Sequence, residues 1–299
     1  MSTSNPLELK LHHLSSPGSD SQRLDALSIL RSHLPVSLPL YRRLQFGRFF
    51  STSLLFTNLN LLKPTTEPRG ESNGTTDDQT QQHPTPWLFA FVDRTCRPET
   101  EVWLFGSWEV APAPPSATEA WHEIDQLVSN LVRACRDLPV PRSLHQDILE
   151  AQAAADSTRS SESSGVEGMK ARDGSVRFQT ESVMLWGAIH EATMPVLRRL
   201  DVLSDNYQEQ APNHTFVFDV DALPPAPALP DGMMWGVIEQ EYFGLVRSKS
   251  AIPRWERTMA SLPSLAIYQD DATKATSAPI AWAFVGLDAS LTTLHVEPE

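Results

Sequence analysis

Few residues in this sequence combine the type and the setting that chemistry requires. His190 stands beside Glu191 in ESVMLWGAIHEATMPVLRRL, and His295 sits inside the run LTTLHVEPE. An imidazole changes charge near neutrality, so either could carry a proton, although a His on a half-buried element is ordinarily a packed, hydrogen-bonded side chain. Paired carboxylates occur at Glu239/Glu241 and Asp270/Asp271, where β-rich runs end, and His12 and His13 lie in an N-terminal polar stretch. Isolated polar residues ordinarily face water, and each of these reads first as a surface or turn residue. Cys96 and Cys135 show neither CxxC nor Cys/His spacing. They read as small buried thiols of a reducing compartment, with no basis for a disulfide framework or structural zinc.

Other chemistries lack their anchors. The sequence holds no GxSxG elbow, HExxH pair, Walker loop or Gly-rich dinucleotide fingerprint. A formal charge of −13, from 24 basic and 37 acidic side chains, opposes the phosphate neutralisation that nucleic-acid binding needs. A local phosphate pocket built from backbone N–H groups stays compatible with that charge. MSTSNPLELK has no charged-then-apolar signal pattern, and no apolar run approaches the ~20 residues of a membrane span. The expectation is a cytoplasmic protein that binds neither membrane nor nucleic acid.

The elements that position these residues follow from periodicity. Leu24, Leu27, Ile29 and Leu30 predict a helix, Pro35 and Pro39 interrupt it, and a second short helix follows around Leu40 to Phe46. Residues 63–86 and 157–175 are low-complexity inserts almost without apolar side chains. Between them, WLFAFVD and EVWLFGSW predict a hairpin over Trp87–Asp93 and Glu101–Trp108. Ser116 and Glu119 then stand at capping-box spacing, ahead of a stripe made by Trp121, Ile124, Leu127, Val128, Leu131, Val132 and Cys135. Leu185, Ile189, Val196, Leu197 and Leu200 predict a further helix, kinked at Gly187 and Pro195, and HTFVFDV predicts a strand over His214–Val220.

The proline-dense DALPPAPALPDG marks a domain boundary, giving 1–225 as an N-terminal α/β region and 226–299 as a second domain. MMWGVIEQ predicts a strand, and Tyr242 to Leu262 predicts helical pieces broken at Ile252–Arg254. SLAIYQD, PIAWAFVGLD and LTTLHV predict three more strands. The order is β-α-α-β-β-β, and links this short make consecutive strands antiparallel neighbours, since a parallel crossover needs about a dozen residues. MLWGAIHEATMPVLR and MMWGVIEQEYFGLVR share Met, Trp-Gly, Ile and Arg at equal offsets, which is compatible with either tandem origin or chance.

From Met233 to Glu299 this order, together with LTTLHVEPE, resembles the first half of the GNAT superfamily of acyl-CoA-dependent N-acyltransferases, particularly its glycine-N-acyltransferase-like branch and related fungal proteins. Leu294, Val296 and Pro298 fit a Leu-x-Val-x-Pro pattern of the fourth GNAT strand. The resemblance implies a mixed α/β fold, a mainly antiparallel sheet flanked by helices, with the N-terminal region as a diverged GNAT-like half. It implies that the main chain of Leu294, His295 and Val296 binds the pantetheine arm and acyl carbonyl of acetyl-CoA or another acyl-CoA. The acceptor would be a small-molecule or peptide amine, with Glu239 or Glu241 as base and no metal ion. Members of that family continue into an Arg/Gln-x-x-Gly-x-Gly/Ala phosphate turn. This sequence stops at Glu299, about where that motif would begin. Two expectations therefore stand side by side: an N-acyltransferase incomplete in this chain, or an inactive GNAT-like fragment serving as an interaction module.

Overall fold

LLFT, LFAFV and VWLFG lack the alternation of a one-sided sheet, and every residue in them is buried. Runs of this kind belong to strands covered on both faces. The computed structural model describes residues 7–61, 85–96, 99–110, 118–141, 184–203, 215–250, 255–269 and 278–298. In it these runs are β2 (Leu54–Thr57), β3 (Leu88–Val92) and β4 (Val102–Gly106), the centre of a sheet ordered β1-β2-β3-β4-β5. β1 is Lys10–His13 and β5 is Trp186–Gly187; β5 runs parallel to β4, and the other pairs are antiparallel. The hairpin expected from the aromatic runs is the β3-β4 pair.

Helices cover both faces of this sheet. The stripe of α3 (Thr118–Asp137) places Ile124, Leu127, Val128, Leu131 and Cys135 against Leu54, Phe56, Leu88, Ala90, Val92, Val102 and Leu104, and Val196 and Leu197 join the same cluster. α1 (Asp20–Arg31) and α2 (Leu38–Gln45) match the two helices expected there, with Pro39 in the first turn of α2, where its missing N–H costs nothing. On the α2 side, buried Arg43 lays its guanidinium 4.0 Å from the Phe91 ring centroid and 5.4 Å from that of Trp103, a cation–π arrangement. The proposed capping residue Ser116 lies outside the described residues.

The helix expected through ESVMLWGAIHEATMPVLRRL is realised only as α4, Met194–Arg199. Its N-terminal half instead pairs as β5, because β4 offers a row of open backbone groups: the N–H groups of Glu101 and Val102 donate to the Leu185 carbonyl at 2.9 and 3.2 Å. Gly187 permits this approach, since a Cβ there would fall 2.5 Å from Thr100 Cγ2. An ion pair locks the same corner. Arg94 Nε lies 3.3 Å from Glu101 Oε1, both side chains buried, while Arg94 Nη1 donates to the Leu138 carbonyl and Glu101 Oε2 accepts from the Leu185 N–H.

The chain divides into two compact units, Met1–His145 with Met184–Gln208, and Gln146–Val183 with Glu209–Glu299. In the second, β6 (Met233–Gly236), α5 (Phe243–Lys249), α6 (Glu256–Met259), β7 (Ser264–Gln269), β8 (Pro279–Val285) and β9 (Leu291–Val296) follow in the expected β-α-α-β-β-β order. All four strands are antiparallel neighbours in sequence order. Ile238, Phe243, Val246, Met259, Ala266, Trp282 and Phe284 make a core between α5, α6 and one sheet face. The opposite face is exposed and apolar, with Trp235, Leu265, Val285, Leu291, Leu294 and Val296 each at least 41% accessible. The molecule is thus a mixed α/β protein with mainly antiparallel sheets flanked by helices.

One expected strand is absent. Residues 215–219 are extended without ladder partners, and Phe216, Val217 and Phe218 are exposed. Alternation alone gives no strand where no neighbour supplies hydrogen bonds. No helix among the described residues is long and apolar enough to cross a membrane.

Candidate functional site

β9 carries one residue more than its partner. Ala281 and Trp282 face Val296 and His295, but Phe284 and Val285 face Thr292 and Leu291, so Thr293 and Leu294 together oppose Ala283. This is a β-bulge, and Thr293 adopts φ 55° within it. A β-branched residue is costly in that region, so the surrounding structure must hold it there. The bulge has a geometric result. Side chains alternate along a strand, so residues three apart point to opposite faces; the extra residue lets Thr292 and His295 both pair with core-facing residues, Phe284 and Trp282.

Among the described residues β9 is an edge strand. The Glu297 N–H donates to the Ile280 carbonyl at 2.8 Å, which fixes the phase of the ladder. Backbone groups of alternate residues then point inward: those of His295 and Glu297 toward β8, those of Leu294 and Val296 toward the open edge. Of the three residues expected to bind pantetheine through their main chain, two turn their backbone groups to the edge that is open among the described residues and His295 does not. The His295 contribution is its side chain.

The His295 ring stacks on Trp282, with centroids 4.6 Å apart and an interplanar angle of 31°. Its Nε2 lies 3.5 Å from Glu297 Oε1, and Lys249 Nζ, at the end of α5, donates to Glu297 Oε2 at 2.9 Å. The Lys249 hydrogen bond is the leading cause of a Glu297 carboxyl held below its ordinary range. Trp282 Nε1 and His295 Nε2 are both buried and find no hydrogen-bond partner among the described residues.

Glu239 and Glu241 are exposed and lie just past β6, at the other edge of this sheet. Three strand spacings of ~4.8 Å put β6 about 14 Å from β9. The structure therefore keeps both glutamates away from Leu294, His295 and Val296. Their neighbour is Tyr268, whose hydroxyl donates to the Val237 carbonyl at 2.7 Å. Burial, with Tyr242, Glu239 and Glu241 adding to it, raises that phenol above its ordinary range.

The remaining sequence candidates are structural in their surroundings. His190 Nδ1 accepts from the Ala192 N–H in the turn before α4, and Glu191 is exposed. His12 and His13 are on edge strand β1, where burial lowers His12. Cys96 and Cys135 are buried thiols, each pushed up to about 12, chiefly by desolvation. Asp270 and Asp271 lie outside the described residues. Glu109, which no sequence motif marks, is buried and accepts from Thr193 Oγ1 at 2.7 Å, and Trp108 Nε1 donates to the same hydroxyl at 3.0 Å. Desolvation raises Glu109 to about 8.

Residues 10–220 match the family described as "Acyl-CoA N-acyltransferase verG N-terminal domain". The chain belongs to this family. The match to the verG-type N-acyltransferases starts at the first residue of β1 and covers the first sheet with its helices, whereas the GNAT resemblance rests on residues 233–299. The family is that of an acyl-CoA N-acyltransferase, which supports a general acyltransferase function. No curated protein matches the chain. It is also similar to the X-ray structure of a Drosophila protein, at 14% identity and TM-score 0.44, over 96% of this chain and 79% of that one.

Proposed function

We propose that this member of the verG-type family transfers an acyl group, acetyl or longer, from acyl-CoA to a small-molecule or peptide amine in the cytoplasm, with the site in a domain formed by residues 226–299. The observation that carries this reading is the edge of β9, open among the described residues, where a bulge interrupts regular pairing and Leu294 and Val296 turn their backbone groups outward. Such an edge can pair with the amide groups of a pantetheine arm as a strand would. An N–H aimed at the thioester carbonyl gains strength as negative charge develops on that oxygen during attack. The protein's share of catalysis is then to hold the thioester in reach of the amine and to polarise its carbonyl.

Calorimetry with acetyl-CoA and a longer acyl-CoA tests this. Val296→Pro removes an N–H from the open side of the strand, where proline is tolerated, and is expected to weaken binding by up to about tenfold, the worth of one hydrogen bond. Binding unchanged in Val296→Pro, or no binding by the unaltered chain, overturns the proposal. The second outcome leaves the reading as a non-catalytic interaction module, which the exposed apolar face of the second sheet favours.

A further inference from the structure

Direct attack on a thioester requires a neutral amine, and an alkyl amine reaches the site as an ammonium. Some group close to the carbonyl must take its proton. Glu239 and Glu241 stand about 14 Å away across the sheet, too far to share a proton with a substrate held at β9.

His295 meets the requirement by position. It lies between Leu294 and Val296, whose backbone groups face the open edge, so its Cα is about 3.8 Å from theirs. One ring face is against Trp282. Nε2 is buried and lies 3.5 Å from Glu297 Oε1, while the side chain as a whole is 25% exposed. With the Glu297 carboxylate facing Nε2 at ion-pair distance, a proton is favoured on that nitrogen and Nδ1 is left as the base. Lys249 holds that carboxylate in turn. Trp282 Nε1, only 2% of that residue being accessible, is a buried donor still without an acceptor among the described residues, beside the ring.

Resting on the acyltransfer reading above, we propose that the His295 imidazole is a catalytic base that takes the proton of the acceptor ammonium, and that Glu297 and Lys249 are positioning residues for it. The amine nitrogen then forms its bond to the carbonyl carbon and the C–S bond breaks. The second nitrogen proton goes to the departing thiolate, giving amide and free coenzyme A, and His295 returns its proton to solvent. Among the described residues, the charged groups that interact around the ring are Glu297, in the continuation of β9, and Lys249, from α5; β8 packs against it with the uncharged Trp282.

The test measures thiol release from acetyl-CoA by the full chain with a panel of small primary amines, alongside acetyl-CoA affinity. His295→Gln is expected to lower kcat/KM about 100-fold for alkyl amines, to lose the acidic limb of the pH profile, and to keep acetyl-CoA affinity. Aromatic amines, already neutral at neutral pH, should lose far less, and added imidazole should restore part of the rate. Glu297→Gln leaves the stack in place, and is expected to lower kcat for alkyl amines while KM and acetyl-CoA affinity stay unchanged. Full activity of His295→Gln with an unchanged pH profile, in a chain that still binds acetyl-CoA, overturns this inference alone. Failure of the unaltered chain to bind acetyl-CoA or acylate any amine overturns the acyltransfer reading with it.

Discussion

Glu109 shows how much a single residue's behaviour depends on partners far away in sequence. Its carboxyl follows β4 in GSWEV, a stretch with no acid–base signature, and its hydrogen-bond partner Thr193 is 84 positions distant. Burial raises it from the ordinary 4.5 to about 8, so the folded state favours the protonated acid. Its contribution to stability is therefore fully present below pH 4.5 and is lost as pH rises through 8. Glu109→Gln keeps the shape without the charge. Its urea midpoint should exceed that of the unaltered protein above pH 8, with the gap closing toward pH 4.5; parallel stability curves across that range would refute the assignment. His295 teaches the same lesson, because only the ladder shows whether its backbone or its side chain is available.

At the scale of elements, legibility followed the period of the pattern. The α3 stripe is long and strictly helical, and it was readable because seven apolar positions agree on one face. Leu131→Ala at its centre should cost about 2–5 kcal/mol, the transfer term plus the cavity left behind, read as a lower urea midpoint with an unchanged slope. β1 and β2 were not recognised: β1 is only four residues long, and β2 is too uniformly apolar to show a period. β5 was misassigned because its structure is dictated by the open edge of β4, which no local pattern reveals. The bulge in β9 was equally invisible, since it falls on Thr293 in Thr-Thr-Leu rather than on a glycine. That Leu294 and Val296 lie on a strand could be read from the pattern; the side-chain setting of His295 could not.

Over the whole molecule, the two units differ in how deeply they bury their strands. β2, β3 and β4 are covered on both faces, whereas among the described residues the second sheet has one apolar face open and an edge at β9. Amide hydrogen exchange should therefore be slowest in Leu88–Val92 and Val102–Gly106 and fastest among the strands in β6 and β9; comparable protection in both sheets would contradict this. Acyl-CoA should slow exchange at Leu294 and Val296 selectively. The extra residue at Thr293 also governs how this chain can be compared with any sequence that shares the sheet of β6 to β9. In a relative with one residue fewer between the positions of Thr292 and His295 the strand alternates plainly, the single residue between them still facing away from the core, and an ungapped count sets His295 against a residue of the opposite face. Counting along an alignment would then pair a lining residue with a solvent one, and the counterpart of His295 has to be sought by the face it shares with Trp282.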